Sequence, residues 1–266
     1  DKISLYVDEA KRMGLTILPP DLNKSMLKFA PEKHGESMAI RFGLSAIKNV
    51  GGASMGEAIA EREARGEFRS LEDFAARMDP RAVNRKSMEC LVKCGAFDFT
   101  GEERAQMVED LEPVLAASAS AHRDRTAGQQ SLFGEESLPA AGRATGKRRA
   151  RPFAEAELLS FEKELLGFYV TAHPLDPYRE SLDNPKFTRV AALEAMDDRA
   201  TVTVAGLVDA VEKKFTKSTG KPCAFLTLED FSGKVEVRVW SEAFEKFLAQ
   251  LVPGKVVHIT GRLDKR

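Results

Sequence analysis

Charge in excess of one sign, disulfide-forming cysteines, long apolar runs and catalytic signatures are scarce or missing from these 266 residues. Lys and Arg total 40 against 41 Asp and Glu, a net charge of -1. That balance excludes a uniformly basic nucleic-acid coat and a polybasic membrane anchor, so any phosphate binding must come from local patches. No apolar run is long enough to cross a bilayer, and no signal-peptide pattern opens the chain, which predicts a cytoplasmic protein with no membrane partner. Cys90, Cys94 and Cys223 are an odd and sparse set, pointing to reduced thiols rather than a disulfide framework. Cys90 and Cys94 lie one helical turn apart, but no second Cys or His pair stands at ligand spacing. His34, His122, His173 and His258 are scattered. Neither a metal nor a cofactor is expected in this stretch. A phosphate-binding G-x-x-x-x-G-K-[ST], a G-x-S-x-G elbow and an Asp-x-Asp pair are all missing, so no catalytic residue is assigned and any chemistry lies outside the segment. The opening at Asp1 within helical periodicity and the strand-like end read as a piece of a longer chain.

What is present is a globular composition, 43% hydrophobic and 8% aromatic, with sharp changes of pattern along its length. The chain predicts a multidomain α+β fold: a helical tandem helix-hairpin-helix module, a flexible linker, a helical connector and a truncated β-barrel of the oligonucleotide/oligosaccharide-binding (OB) type. Residues 1–39 begin with a short helix capped near Gly14, followed by an extended path through Pro19-Pro20. Residues 40–117 repeat helix, turn, helix, with turns at Asn49 to Gly52 and around Cys94 to Ala96, and then a helix that Pro113 should kink or break. Residues 118–152 turn to Ala, Ser, Gly, Gln and Arg, a composition that buries too little surface to offset its ordering entropy. Helical periodicity returns across 153–200. From Thr201 the period drops to two: Val202 and Val204, Leu226 and Leu228, Val235 to Val239, then Val257 and Ile259. A hairpin at Asp230 to Gly233 and a helix from Ser241 to Leu251 give the order strand, strand, strand, helix, strand, an OB fold without its last strand.

Three stretches carry candidate chemistry. Leu44 to Gly52, followed by Glu57-Ala58-Ile59, has the form of a helix-hairpin-helix, whose glycine turn lets backbone N–H groups at a helix start approach a phosphate without reading bases. Lys48, Asn49, Gly51 and Gly52 are its candidate duplex-phosphate residues; Asn49 stands where glycine is usual, and the bland alternative is a Gly-capped pair that only packs. The copy from Met88 to Phe97 has one turn glycine, Gly95, and reads as a packing partner. In the barrel, Lys213, Lys214, Phe215, Lys217 and Lys221 sit in and beside the loop between the first two strands. Phe225, Arg238 and Trp240 share the parity opposite Leu226 and Val237. Lysines on phosphates and aromatics under bases are how OB folds hold single strands, although Trp240 could instead plug the barrel end. In the linker, Gln129, Ser131, Leu132 and Phe133 form Gln-x-Ser-Leu-Phe, the pattern of short clamp-binding peptides, in which Leu and Phe fill a pocket and Gln anchors the backbone. The alternative there is that Leu132-Phe133 tucks onto the chain's own surface. The basic run Arg143 to Arg151 reads as solvated, the alternative being a helper role toward DNA phosphate.

The order of blocks adds a resemblance. Tyr6-Val-Asp-Glu-Ala-Lys-Arg-Met-Gly14, Leu18-Pro-Pro-Asp21, Phe42 to Gly51, Val83-Asn-Arg-Lys86, Gly95-Ala-Phe-Asp98, Glu162-Lys-Glu-Leu-Leu-Gly167, Thr171-Ala-His-Pro174 and Phe225 to Asp230 resemble, in this order, the C-terminal part of the alpha (catalytic) subunits of bacterial DNA polymerase III, the C-family replicative polymerases. The resemblance implies the end of a fingers domain at 1–39, a duplex-gripping module at 40–117, a sliding-clamp (beta subunit) peptide in the linker and an OB domain toward single-stranded template. It also implies other holoenzyme subunits as partners, and Mg2+ held by palm carboxylates outside this stretch. Two other classes remain: a non-catalytic helix-hairpin-helix/OB repair or recombination factor, and the tRNA-binding part of an aminoacyl-tRNA synthetase.

Overall fold

The computed structural model describes residues 3, 6–7, 9–10, 13–126, 149–216 and 220–265. They fall into two compact units that divide between Thr171 and Ala172, inside the segment read from the sequence as a single connector over 153–200.

In the first unit Ile3, Tyr6, Val7, Glu9 and Ala10 are helical, as expected before Gly14, and a small sheet follows where the sequence suggests only an extended path. Strand β1 (Thr16–Leu18) pairs parallel with β3 (Ser37–Arg41), and β3 pairs antiparallel with β2 (Ala30–His34), in the order β1-β3-β2. Arg41 stitches the three strands together: its guanidinium donates to the Glu32 carboxylate at 2.7 and 2.5 Å and to the Pro19 carbonyl at 2.8 Å. A fork on a carboxylate is a strong, directional pair, and it holds the Glu32 carboxyl below its ordinary range. Ile40, expected to start a helix, therefore lies in a strand, and the helix expected before the first hairpin shrinks to a single 3-10 turn, Leu44–Ala46. The cause is crowding at Gly43, where a Cβ would stand 2.4 Å from the Lys28 carbonyl carbon, so the chain here is pressed against another backbone segment.

Helices α1 (Gly52–Arg65), α2 (Leu71–Arg77), α3 (Arg85–Lys93) and α4 (Arg104–Thr126) follow. Side chains of Ser70 and Asn84 cap α2 and α3 by accepting the Asp73 and Ser87 amides at 3.2 and 2.9 Å. The core is aromatic and sulfur-rich: Phe42, Phe68, Phe74, Phe97, Met55, Met88 and Met107 are all fully buried. Phe74 meets Phe68 and Phe97 edge-on at centroid distances of 4.9 and 5.3 Å. Helix α4 runs through Pro113, which neither breaks it nor enters the core. Facing solvent, this proline leaves the carbonyl it cannot bond open to water. The helix also extends past 118, the position at which the flexible linker was expected to begin. Ser118 is buried, and its hydroxyl donates to the Ala75 carbonyl at 2.5 Å. The chain is described again from Arg149, and the Ala150 amide donates to Gln106 Oε1 at 2.9 Å, near the start of α4. Helix α5 (Glu155–Leu166) returns Leu165, Leu166 and, just beyond it, Phe168 to the same core.

The second unit begins with 3-10 turns at Asp176–Tyr178 and Val190–Ala195 on either side of a short helix, α6 (Arg179–Leu182). Four antiparallel strands follow: β4 (Thr201–Phe215), β5 (Pro222–Asp230), β6 (Gly233–Val239) and β7 (Val256–Arg262), in the order β6-β5-β4-β7. The 15-residue β4 serves both flanks: Thr201 to Leu207 pair with β7, and Leu207 to Phe215 pair with β5 across an irregularity between Val208 and Ala210. A bulge of this kind bends a strand and raises its twist, which is how a sheet is turned toward closure. Asp230 organises the predicted hairpin, its carboxylate accepting the Ser232, Gly233 and Val190 amides at 2.7, 3.0 and 2.8 Å. Helix α7 (Ser241–Phe247) is shorter than predicted, yet Phe244 and Leu251 both reach the core.

Candidate nucleic-acid interface

The first hairpin is anchored by its apolar residues and presents its polar ones. Ile47 and Val50 are buried, whereas Lys48, Asn49 and Gly51 are exposed. Asn49 adopts the left-handed conformation at φ 64, and its amide group donates toward Cys90 Sγ at 3.9 Å. Asparagine tolerates this region better than most L-residues, so the turn keeps its shape without the usual glycine. Gly51 caps α1 in an extended conformation and provides no side-chain cap. The start of this 14-residue helix thus offers backbone N–H groups and the positive end of the helix dipole on an exposed surface. Nothing in the protein's own packing requires glycine here. A Cβ at Gly51 would come no closer than 3.4 Å to Ser54 Oγ, and one at Gly52 no closer than 3.6 Å to Ser45 Cβ. Bare backbone is instead what a phosphate needs to come close. The Lys48 amide is already committed, donating to the Leu165 carbonyl at 2.9 Å, so Lys48 can contribute only its ammonium.

The second hairpin is built the other way. Gly95 sits at φ 87, where a Cβ would fall 2.3 Å from Arg104 Nη2. Arg104 closes over the turn, donating to both Asp98 oxygens at 2.8 and 2.5 Å and to the Lys93 carbonyl at 3.0 Å. Side chains of the chain itself, Arg104 and Asp98, therefore close over this turn, unlike the first.

On the barrel, register divides the candidate residues. Val211, Leu226 and Val237 share a row on the core side, and the next row, Glu212, Phe225 and Arg238, faces outward. Lys214 has the same outward parity, with its ammonium 4.6 Å from the Phe225 ring centroid, and Arg238 approaches that ring at 5.8 Å. Lys214, Phe225 and Arg238 are therefore brought together. Trp240 follows on the same parity and is 60% exposed, so it does not plug the barrel. Lys213 and Phe215 have the opposite parity and reach solvent only because β4 outruns the core; Phe215 is 74% exposed. Lys221 lies exposed at the far side of the loop, its carbonyl accepting the Thr216 amide at 2.9 Å. Sequence reasoning passed over the carboxylates that face these cations. Glu212 Oε2 is 3.0 Å from Lys214 Nζ, Glu236 Oε1 is 3.4 Å from Arg238 Nε, and Asp264 Oδ2 is 3.7 Å from Arg238 Nη1. Two of the three could have been read from the i, i+2 spacing on one strand face.

Comparison with known proteins matches both regions of the chain. Residues 14–107 match the helix-hairpin-helix motif family, and residues 202–266 match the OB-fold nucleic acid binding domain family. DNA polymerase III subunit alpha of Borreliella burgdorferi is 35% identical over 264 residues, which is 99% of this chain and 23% of that protein. Its counterpart in Deinococcus radiodurans is 37% identical over 95% of this chain and 19% of its own length. That of Vibrio cholerae is 34% identical over 99% and 22%. The chain belongs to the DNA polymerase III alpha family. It spans less than a quarter of the length of these relatives.

In this polymerase III alpha segment, Gln129, Ser131, Leu132, Phe133 and Lys217 lie outside the described residues. Among the described residues no group of three or more His, Cys, Asp or Glu is placed to hold a metal ion, and no helix is long and apolar enough to cross a membrane. Cys90, Cys94 and Cys223 are free, buried thiols, and burial pushes the Cys94 thiol up to about 12.

Proposed function

We propose that this chain is the DNA- and sliding-clamp-engaging segment of a bacterial replicative DNA polymerase catalytic subunit, whose template-directed synthesis takes place on palm carboxylates and Mg2+ outside these residues. The observation that carries the reading is the exposed, uncapped start of α1 at Gly51-Gly52 within a chain colinear with polymerase III alpha subunits. The hairpin would hold duplex phosphate through backbone N–H groups and Lys48. The outer barrel face, with the loop between β4 and β5, would follow single-stranded template. The peptide Gln129 to Phe133 would bind the clamp ring (beta subunit), and contacts with other holoenzyme subunits go with that role. Several modest attachments acting together raise residence on DNA well above that of any one. None of the relatives above supports the repair-factor or synthetase readings.

The test is a Gly52→Glu variant. A carboxylate in the first turn suits the helix dipole and leaves the fold intact, but it occupies the phosphate position. Duplex binding measured by fluorescence anisotropy should weaken about tenfold, the loss of one charge-assisted site. Unchanged duplex binding would remove the hairpin from the interface. For the barrel, Lys213→Ala, Lys214→Ala and Lys217→Ala together should flatten the salt dependence of single-strand binding.

A further inference from the structure

The outward row of the barrel sheet contains more negative than positive charge. Lys214 and Arg238 share the Phe225 ring from the two neighbouring strands, and Glu212, Glu236 and Asp264 stand within 3.0, 3.4 and 3.7 Å of them. Two cations face three carboxylates, on a surface expected to attract phosphate. All five side chains are about half exposed or more, so the pairs are wet, weakly held and open to exchange. The ring itself is taken. With an ammonium at 4.6 Å and a guanidinium at 5.8 Å from its centroid, Phe225 holds cations in place and is not free to stack a base.

We propose that Glu212, Glu236 and Asp264 act as an anionic screen over the Lys214–Phe225–Arg238 platform, so that a single strand is held there only where its phosphates displace these carboxylates. The inference rests on the reading of this face as a single-strand surface. It assigns Phe225 to positioning the two cations, leaves base stacking to Trp240, and makes the barrel a deliberately weak, sequence-indifferent hold. Each phosphate that arrives must take a cation from its carboxylate. A template strand can therefore slide by exchange, one phosphate replacing another, with no deep binding site to leave.

The experiment uses the 266-residue chain and a labelled oligo-dT, with anisotropy titrations at several NaCl concentrations. Glu236→Gln with Asp264→Asn frees Arg238. Affinity should rise about three- to tenfold at low salt, and the slope of log K against log salt should steepen by about 0.7 for the freed contact. Glu212→Gln, which frees Lys214, should act in the same direction and guards against a local effect of the first pair. Unchanged or weaker binding in both variants would overturn the screen. A Lys214→Ala, Arg238→Ala variant separates the two failures. If it weakens binding while the neutralised carboxylates leave it unchanged, the screen alone is wrong. If it too has no effect, the single-strand reading of this face falls with it.

Discussion

Glu162 and Thr171 meet at the last step before the chain passes from one compact unit to the other: Glu162 Oε1 accepts the Thr171 hydroxyl at 2.8 Å. The other carboxylate oxygen accepts the Val170 and Thr171 amides at 2.7 and 3.1 Å. Glu162 is buried, and three donors supply the compensation that a buried carboxylate needs.

Removing that carboxylate should loosen the junction before it unfolds the core. Glu162→Ala leaves three donors without their acceptor and should cost about 2 kcal/mol, read from urea denaturation. Amide exchange at Val170 and Thr171 should accelerate more than exchange within α5. Uniform acceleration across the first unit would show that Glu162 supports the core and not the exit of the chain.

Asn49 provides a second check, on the hairpin. An L-residue held at φ 64 is strained, and glycine is not. Asn49→Gly should therefore keep duplex binding and raise stability by up to about 1 kcal/mol, whereas Asn49→Val should lower it by about 1–2 kcal/mol. Thermal unfolding of the two variants decides the matter. Equal melting temperatures would mean that the turn relaxes freely.

The linker peptide can be tested without reference to the fold. Leu132→Ala with Phe133→Ala should abolish capture of the purified clamp ring in a pull-down while leaving the unfolding profile unchanged, because anchors of this type carry most of the binding energy. Undiminished capture would dismiss the peptide.

Cys94 gives a pH dependence of defined sign. Its thiol ionises near 9.0 in the unfolded chain but is pushed up to about 12 by burial in the folded one. The stabilising difference is fully present below pH 9 and is lost as pH rises from there toward 12, at a limiting slope of about 1.4 kcal/mol per pH unit. Cys94→Ala should show a shallower alkaline loss of stability between those values, with denaturant midpoints as the readout. Parallel curves would mean that the thiol ionises without unfolding.

The barrel was legible in the sequence because alternation is unambiguous when one face is buried: Val202, Val204, Leu226 and Leu228 all reach the core. The first hairpin was legible for a different reason, its punctuation by Gly51 and Gly52. The small N-terminal sheet was not. Thr16–Leu18 is three residues long, β2 carries Pro31, and neither is long enough to show a period. Arg41 gave no sequence signal either, since its partners Glu32 and Pro19 are joined to it only by the fold. The reach of α4 was hidden by composition: its end is rich in Ala and Ser, and what holds Ser118 is a carbonyl on another helix. At the barrel site the aromatics and lysines were found by residue type, but parity alone separated Lys213 and Phe215 from Lys214, Phe225, Arg238 and Trp240.

The bond from Ala150 to Gln106 alters what the stretch between α4 and α5 can do. The chain leaves the far end of α4 at Thr126 and is caught again beside that helix's first turn. Twenty helical steps, from Gln106 to Thr126, set these anchor points about 30 Å apart at 1.5 Å per residue. Both anchors belong to the first compact unit. Residues 127–148 therefore join two described positions of the same body, Thr126 and Arg149. Lengthening or trimming them should change how far a ring caught on Leu132-Phe133 stands from the hairpins.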